Sequence, residues 1–295
     1  MLSDNPIITY KYTADPTVVV HDGTVYLYTG HDEAPSGVHD YVMTEWLCFS
    51  SRDLSTWTEH PVPLRASDFD WSSGRAFASQ VLEHAGIFYW FASVADAAGD
   101  SAIAVATSTS PTGPFSDLIG RPLVARADLP TKAHAKANLD PTVIIVDGTP
   151  LLVWGNATCY TTRLTADMQG LAGPITTIDL PEFEEGAHLH HHDDWYYLSY
   201  GYDMPERVAY AMSDHPDGPW TFAGLLNEVP GNCETNRPCT LEFDGQWFFL
   251  YHNGALPGGD SHHRSVCIDR LQYNPDGTMQ TVVMTSRGIR PDQQT

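Results

Sequence analysis

Positive charge is scarce in this chain: 15 lysines and arginines stand against 37 aspartates and glutamates, a formal net charge of -22 over 295 residues. Partners carrying phosphate draw on a basic face that neutralises it, so nucleic acid and anionic membrane surfaces are excluded. The acidic excess reads as a solubility device. Long apolar runs are missing too, and no window has the length of a membrane span. The opening MLSDNPIITYKYTADP lacks a basic stretch leading into an apolar one, so it does not read as a secretory signal. Cysteine is sparse, with five residues (Cys48, Cys159, Cys233, Cys239 and Cys267), an odd number without zinc-ligand spacing. Cys233 and Cys239 are close enough in sequence to pair, but free thiols in a reducing cytoplasm are the simpler expectation. Helical periodicity is absent from every stretch of ten or more residues, which excludes the α/β classes. The 21 prolines and 23 glycines are scattered at turns rather than pooled in a linker, so residues 1–295 are expected to form one domain.

What the chain does have is a repeat. Residues 15–30 read DPTVVVHDGTVYLYTG and residues 140–155 read DPTVIIVDGTPLLVWG. Each is an apolar strand, an Asp-Gly turn and a second apolar strand, the pattern of a tight β-hairpin. Looser copies begin at Ala78 (ASQVLEHAGIFYWFAS), Glu185 (EGAHLHHHDDWYYLSYG) and Arg237 (RPCTLEFDGQWFFLYH). A second phrase recurs between them, as SSRDLSTWTEH, STSPTGPF and SDHPDGPW. Unit starts at 15, 78, 140, 185 and 237 have the spacing of four-stranded propeller blades. The fold class expected is therefore all-β, a five-bladed β-propeller. A pair of β-sandwiches would also give short regular strands, but it does not explain why one unit returns five times.

In a propeller the innermost strands surround a central channel, so equivalent first positions gather at one end of it. Those positions read Asp15, Ala78, Asp140, Glu185 and Arg237. Asp15 and Asp140 each precede a proline, and either alone would pass for a turn cap. Three carboxyls at one level of one channel, each beside an apolar strand, instead suggest a pair flanking a scissile glycosidic bond with a third tuning them.

Four phrases carry a family resemblance: TADPTVVVHDGTVYLYTGHDE, LDPTVIIVDGTPLLVWGN, EEGAHLHHHDDWYYLSYG and YHNGALPGGDSHHRSVCIDRLQYNPDGT. Together they span residues 13 to 278, and the chain resembles glycoside hydrolase family 43, five-bladed propellers that cleave xylosides and arabinosides with inversion. The resemblance implies Asp15 as general base, Asp140 as orienter and pKa modulator of the acid, and Glu185 as general acid. It implies that Arg264, in SHHRSVC, contacts the sugar and the carboxyl cluster. It also implies that His252 helps hold a hydrated calcium ion on the propeller axis, although a histidine at a strand end is as readily a hydrogen-bonded core residue. No cofactor is required for the chemistry itself.

Among the aromatics, Phe77 and Trp71 are expected as sugar-stacking walls, ahead of Trp46 and Trp154. Asn156 is expected to bond a sugar hydroxyl. The histidines at 188, 190, 191 and 192 fall on both faces of a strand and do not make a zinc pattern. Glu184 is turned away from Glu185 by the same alternation. His262 and His263, in a glycine-rich loop, border the pocket at most. The resemblance implies an exo-acting β-D-xylosidase, with α-L-arabinofuranosidase activity alongside, that releases terminal pentoses from short xylo-oligosaccharides. Its small-molecule partner is then an oligosaccharide. The alternatives are an α-L-arabinofuranosidase acting on arabinan or arabinoxylan fragments, and a sugar-binding propeller without catalysis.

Overall fold

A computed structural model describes residues 5–130 and 133–289. The chain forms five antiparallel sheets in sequence order. The first contains β1 (Thr13–His21), β2 (Thr24–His31), β3 (Glu45–Ser51) and β4 (Thr58–Glu59), with β5 (Leu64–Arg65) also on β3. The second is β6 (Ser72–His84), β7 (Ile87–Asp96), β8 (Ser101–Ser108) and β9 (Ser116–Asp117). The third is β10 (Thr142–Val146), β11 (Thr149–Trp154), β12 (Cys159–Arg163) and β13 (Thr176–Ile178). The fourth is β14 (His188–His192), β15 (Trp195–Tyr202), β16 (Arg207–Ser213) and β17 (Thr221–Asn227). The fifth has three strands, β18 (Cys239–Phe243), β19 (Gln246–Asn253) and β20 (Ser265–Leu271). These are the blades of the expected five-bladed propeller, and five separate sheets rule out a pair of sandwiches.

The repeated hairpin is built as its sequence dictates. At Asp22-Gly23, Ala85-Gly86, Asp147-Gly148 and Asp244-Gly245 both turn residues have positive φ. That backbone matches the twist of the flanking strands and suits an Asp-Gly pair. Alternate side chains then leave each blade on opposite sides. In β2, Val25 and Leu27 join a core shared with the fifth blade, while Tyr28 joins one shared with the second. In β7, Trp90 and Phe91 likewise enter different cores, toward the first and third blades. Both faces of a blade are therefore buried, which is why its strands read as nearly continuous apolar runs. Cys48, Cys159, Cys233, Cys239 and Cys267 are all buried free thiols, and Cys233 and Cys239 are unpaired.

The ring closes where the N-terminal segment lies along the last blade. Ile7 donates its amide to the Val266 carbonyl at 2.9 Å, and Asn5 donates its own to Ser286 at 3.1 Å. The Asn5 side chain accepts from the Ile268 amide at 2.8 Å. Its amide hydrogens are shared among the carbonyl of Ile268, a carboxylate oxygen of Asp269 and the carbonyl of Thr285. The segment thus covers the outer edge of β20 in the place of a fourth strand, which removes an unpaired edge. Replacing Asn5 with alanine should leave the Ile268 amide unpaired and cost about 2–3 kcal/mol. The denaturant midpoint should fall with an unchanged slope; an unchanged midpoint would show that the seam does not depend on this side chain.

Candidate active site

Pairing along β1 jumps from Ala14–Gly30 to Thr17–Tyr28, a bulge centred on Asp15-Pro16. Asp15 has φ 52° and the corresponding Asp140 has φ 58°. Left-handed backbone is costly for any residue with a Cβ, least so for Asn and Asp, and the residue before proline is also pushed away from helical angles. Strain of this sort persists only where surroundings enforce it, and it gathers at functional sites. Each of the two amides is held by the second strand of a preceding blade. Asp15 donates to His252 Nδ1 at 3.2 Å, and Asp140 donates to Ser93 Oγ at 3.0 Å.

The fourth blade corrects the expected register. Asp15 and Asp140 lie seven residues before their hairpin turns at Asp22 and Asp147, but seven residues before Asp193 is Gly186, not Glu185. Gly186 carries the left-handed angle, φ 70°, and a Cβ there would sit 3.1 Å from the Asn236 carbonyl oxygen. Its amide donates to Asp140 Oδ2 at 2.7 Å. Glu185 stands one residue earlier, and its longer side chain reaches into the same pocket as the two aspartates.

That pocket brings together Asp15, Asp140, Glu185, Arg264, His252, Asn156 and Phe77. Trp71 is not among its lining residues. It packs against the core between the first two blades and donates its indole N–H to Asp117, so it does not form the expected wall. Trp46 and Trp154 are fully buried core. Phe77 is half-buried in the wall, with the Arg75 guanidinium 5.6 Å from its ring centre. Asn156 lies in the pocket, where its side-chain amide donates one hydrogen to Glu185 Oε2 at 2.6 Å.

The two aspartates are each matched to a buried arginine. Arg264 Nη1 bonds Asp15 Oδ1 at 3.0 Å. The rest of its fork grips Asp32, through Nε and Nη2 at 2.9 Å each. Arg237 Nη1 stands 3.2 Å from Asp140 Oδ1. Among the described residues no cation forms an ion pair with Glu185, and Arg264 acts on it only as a weaker, more distant charge. Burial, and then the negative charge of Asp140, push its carboxyl up to about 8, against the pull of the Asn156 bond. Asp140 is also raised, by burial first, with Arg237 pulling it back. Glu185 thus holds a proton beside a carboxylate paired with arginine, the charge arrangement that general acid chemistry requires.

His252 lies at the expected depth, almost fully buried, but both ring nitrogens are engaged. Nδ1 accepts from Asp15, so Nε2 carries the hydrogen and gives it to the Thr235 carbonyl at 3.0 Å. Burial holds its pKa well below the usual value, so it is neutral. Placed like this it offers no lone pair to a metal, and the residues do not fit the expected calcium role. His252 orients Asp15 instead.

Sequence reasoning missed Asp32, Tyr41 and Glu206. Asp32 stands last but one in the matched phrase YLYTGHDE, which was its only signal. Tyr41 stacks under Arg264, its ring centre 5.0 Å from the guanidinium carbon. Glu206 is buried beside Gly201 and accepts the Asn236 amide at 2.7 Å; burial, then the charge of Glu185, push its carboxyl well above the usual range. Glu184 is half-buried and outside the pocket. His188 and His190 are buried while His191 is exposed, in keeping with strand alternation.

Residues 3–279 match the family model described as glycosyl hydrolases family 43. The chain belongs to that family. It is 28% identical to an arabinoxylan arabinofuranohydrolase of Paenibacillus polymyxa over 97% of its own length, and it spans about half, 52%, of that relative. A solved family 43 β-xylosidase/α-arabinofuranosidase from a compost metagenome, in complex with xylotriose and in calcium-free form, superposes with a TM-score of 0.84. The two share 26% identity over 94% of this chain and 96% of that one. An α-L-arabinofuranosidase of Clostridium thermocellum is 30% identical, over 97% of this chain and 98% of that one, with a TM-score of 0.80.

The raised Glu185 carboxyl also links stability to pH. A folded value of about 8 against an ordinary 4.5 means that folding takes up a proton between these limits. The contribution of this group is fully present below about 4.5 and is lost as pH rises through about 8. Glu185→Gln removes the titration. We expect the variant to gain on wild type by a few kcal/mol as pH is raised across that window, read from denaturant midpoints. Parallel curves for the two proteins would sink the protonated assignment.

Proposed function

We propose that the protein is an inverting, exo-acting glycoside hydrolase that removes terminal pentoses from short xylo-oligosaccharides, a β-D-xylosidase with α-L-arabinofuranosidase activity alongside. The observation that carries this reading is the contrast between two carboxyls in one pocket. Glu185 is held protonated by burial and by Asp140, while Asp15 accepts a charged hydrogen bond from Arg264. Glu185 gives its proton to the glycosidic oxygen as the bond to the anomeric carbon breaks. Asp15 takes a proton from the water that attacks the opposite face, so the sugar leaves inverted and both carboxyls exchange roles by one proton. Asp140 stays paired with Arg237 and keeps Glu185 charged with its proton. Phe77 offers an apolar face to the C–H side of the ring.

The activities for which these relatives are named support the pentose class. The name of the Paenibacillus relative and the 30% identity to the Clostridium thermocellum enzyme also favour a second reading, an α-L-arabinofuranosidase acting on arabinoxylan fragments. Nitrophenyl β-xylopyranoside and α-arabinofuranoside separate the two readings by the ratio of their rates.

The roles of the acids separate by leaving group. Asp15→Ala should lower kcat by about 10²–10⁴ on nitrophenyl xyloside and xylobiose alike. Glu185→Ala should cost far more on xylobiose, because nitrophenol leaves with little help from an acid. Proton NMR of the first product from a β-xyloside should give α-xylose. A β-product, or equal losses for Glu185→Ala on both substrates, would overturn the assignment. A folded wild type inert on both glycosides would favour a binding role. Wild-type kcat should also fall as pH rises past about 8, where Glu185 loses its proton, and a rate level to pH 9 would contradict its role as acid.

A further inference from the structure

Beside the catalytic pocket lies a second cavity that shares none of its lining residues, and His39, Asp260 and His262 all face it. His39 belongs to the loop between β2 and β3, and the other two to the loop between β19 and β20. We propose that these three side chains form a binding site for a divalent ion of the zinc class, joining the two loops at the rim of the active-site pocket. One ligand atom from each residue already lies within 4.8 Å of the other two. The imidazoles of His39 and His262 have ring centres 5.9 Å apart at 72°.

The donor set names the metal class. Two imidazoles and one carboxylate suit Zn²⁺, Co²⁺ or Ni²⁺, whereas calcium takes oxygen ligands. Three protein ligands leave a position for water on the cavity side. Donors held about 2.0–2.2 Å from such an ion lie about 3–4 Å from one another. Closure therefore needs a swing of about an ångström, and His39, the exposed member, is free to make it.

The other two ligands are fixed in advance. Asp260 Oδ1 accepts from the His262 amide at 2.8 Å and bonds His263 Nδ1 at 3.0 Å. His263 Nε2 in turn bonds the Ala34 carbonyl at 2.8 Å, so the two loops are already stitched along one seam. Hydrogen bonds that orient a ligating carboxylate are the usual support of a metal site. The loop beneath is tightly folded: a Cβ on Gly254 would lie 2.3 Å from the Asn232 carbonyl oxygen. On the opposite side, Arg75 Nη2 anchors Asp40 and the Tyr41 carbonyl at 2.7 Å each, next to His39. Tyr41 packs on His262 with ring centres 4.7 Å apart, and it also lines the catalytic pocket. An ion here pins that wall.

The test is a calorimetric titration of Zn²⁺ into untagged, EDTA-stripped full chain, with Co²⁺ absorption as a second readout. We expect one saturable site of micromolar or tighter Kd and a thermal transition that rises with zinc, by mass action. His39→Ala and His262→Ala should each weaken binding at least tenfold. His31→Ala disrupts a different cluster (His31, Glu33 and Glu45) and should leave it unchanged. Binding no tighter than millimolar, or binding lost in His31→Ala and kept in His39→Ala, overturns the proposal. His39 is exposed, and a melt in EDTA matching wild type shows that its variant is folded, so that variant decides the matter even where His262→Ala does not fold.

Discussion

The contact on which this molecule turns is the guanidinium of Arg264, held between Asp15 and Asp32. Arg264 immediately precedes the last strand, and both carboxylates belong to the first blade. One buried ion triad therefore does two things: it locks the ring where its first and last blades meet, and it aims a carboxylate into the pocket. Removing one member of such a set leaves an uncompensated buried charge, which costs about 3–5 kcal/mol. The fork of Arg264 explains why arginine stands there. Three of its nitrogens bond two carboxylates in fixed directions, which a lysine ammonium does not reproduce.

A tally of charge around the axis explains the proton on Glu185. Asp15, Asp32, Asp140, Glu185 and Glu206 are carboxyls gathered there, and the buried cations that meet them are Arg264 and Arg237. Two guanidinium groups cannot balance five anions in a low-dielectric interior. The groups left without a cation, Glu185 and Glu206, are those whose affinity for a proton rises most clearly. Arginines placed beside the aspartates thus leave the proton to Glu185.

Much of the fold was written locally. Two-residue turns between apolar strands, Asp-Gly in three of the five, set the hairpins, and the return of that hairpin five times set the blades, because so short a turn fixes register within a few neighbours. The same logic placed Asp15 and Asp140. It misjudged Glu185 by one residue, since only the structure reveals that Gly186 takes the left-handed position. Asp32 was hidden because its partner is 232 residues away. Trp71 misled for a related reason: it directly precedes β6, but its indole points away to Asp117 of the outer strand β9, a matter of direction rather than spacing. For His252 the depth was legible, but the bonds made by its two nitrogens were not.

The seam between the segment at residues 5–8 and β20 has a bearing on how the protein comes into being. Asp15 waits for Arg264, nearly the whole length of the chain later, so the reaction centre has no half-built precursor. A nascent chain that has completed four blades holds all three carboxyls yet lacks the guanidinium that orients one of them and the β20 edge on which its beginning must dock. The completed pocket therefore appears all at once, with the last blade, and a chain that stops before β20 lacks the edge on which residues 5–8 dock.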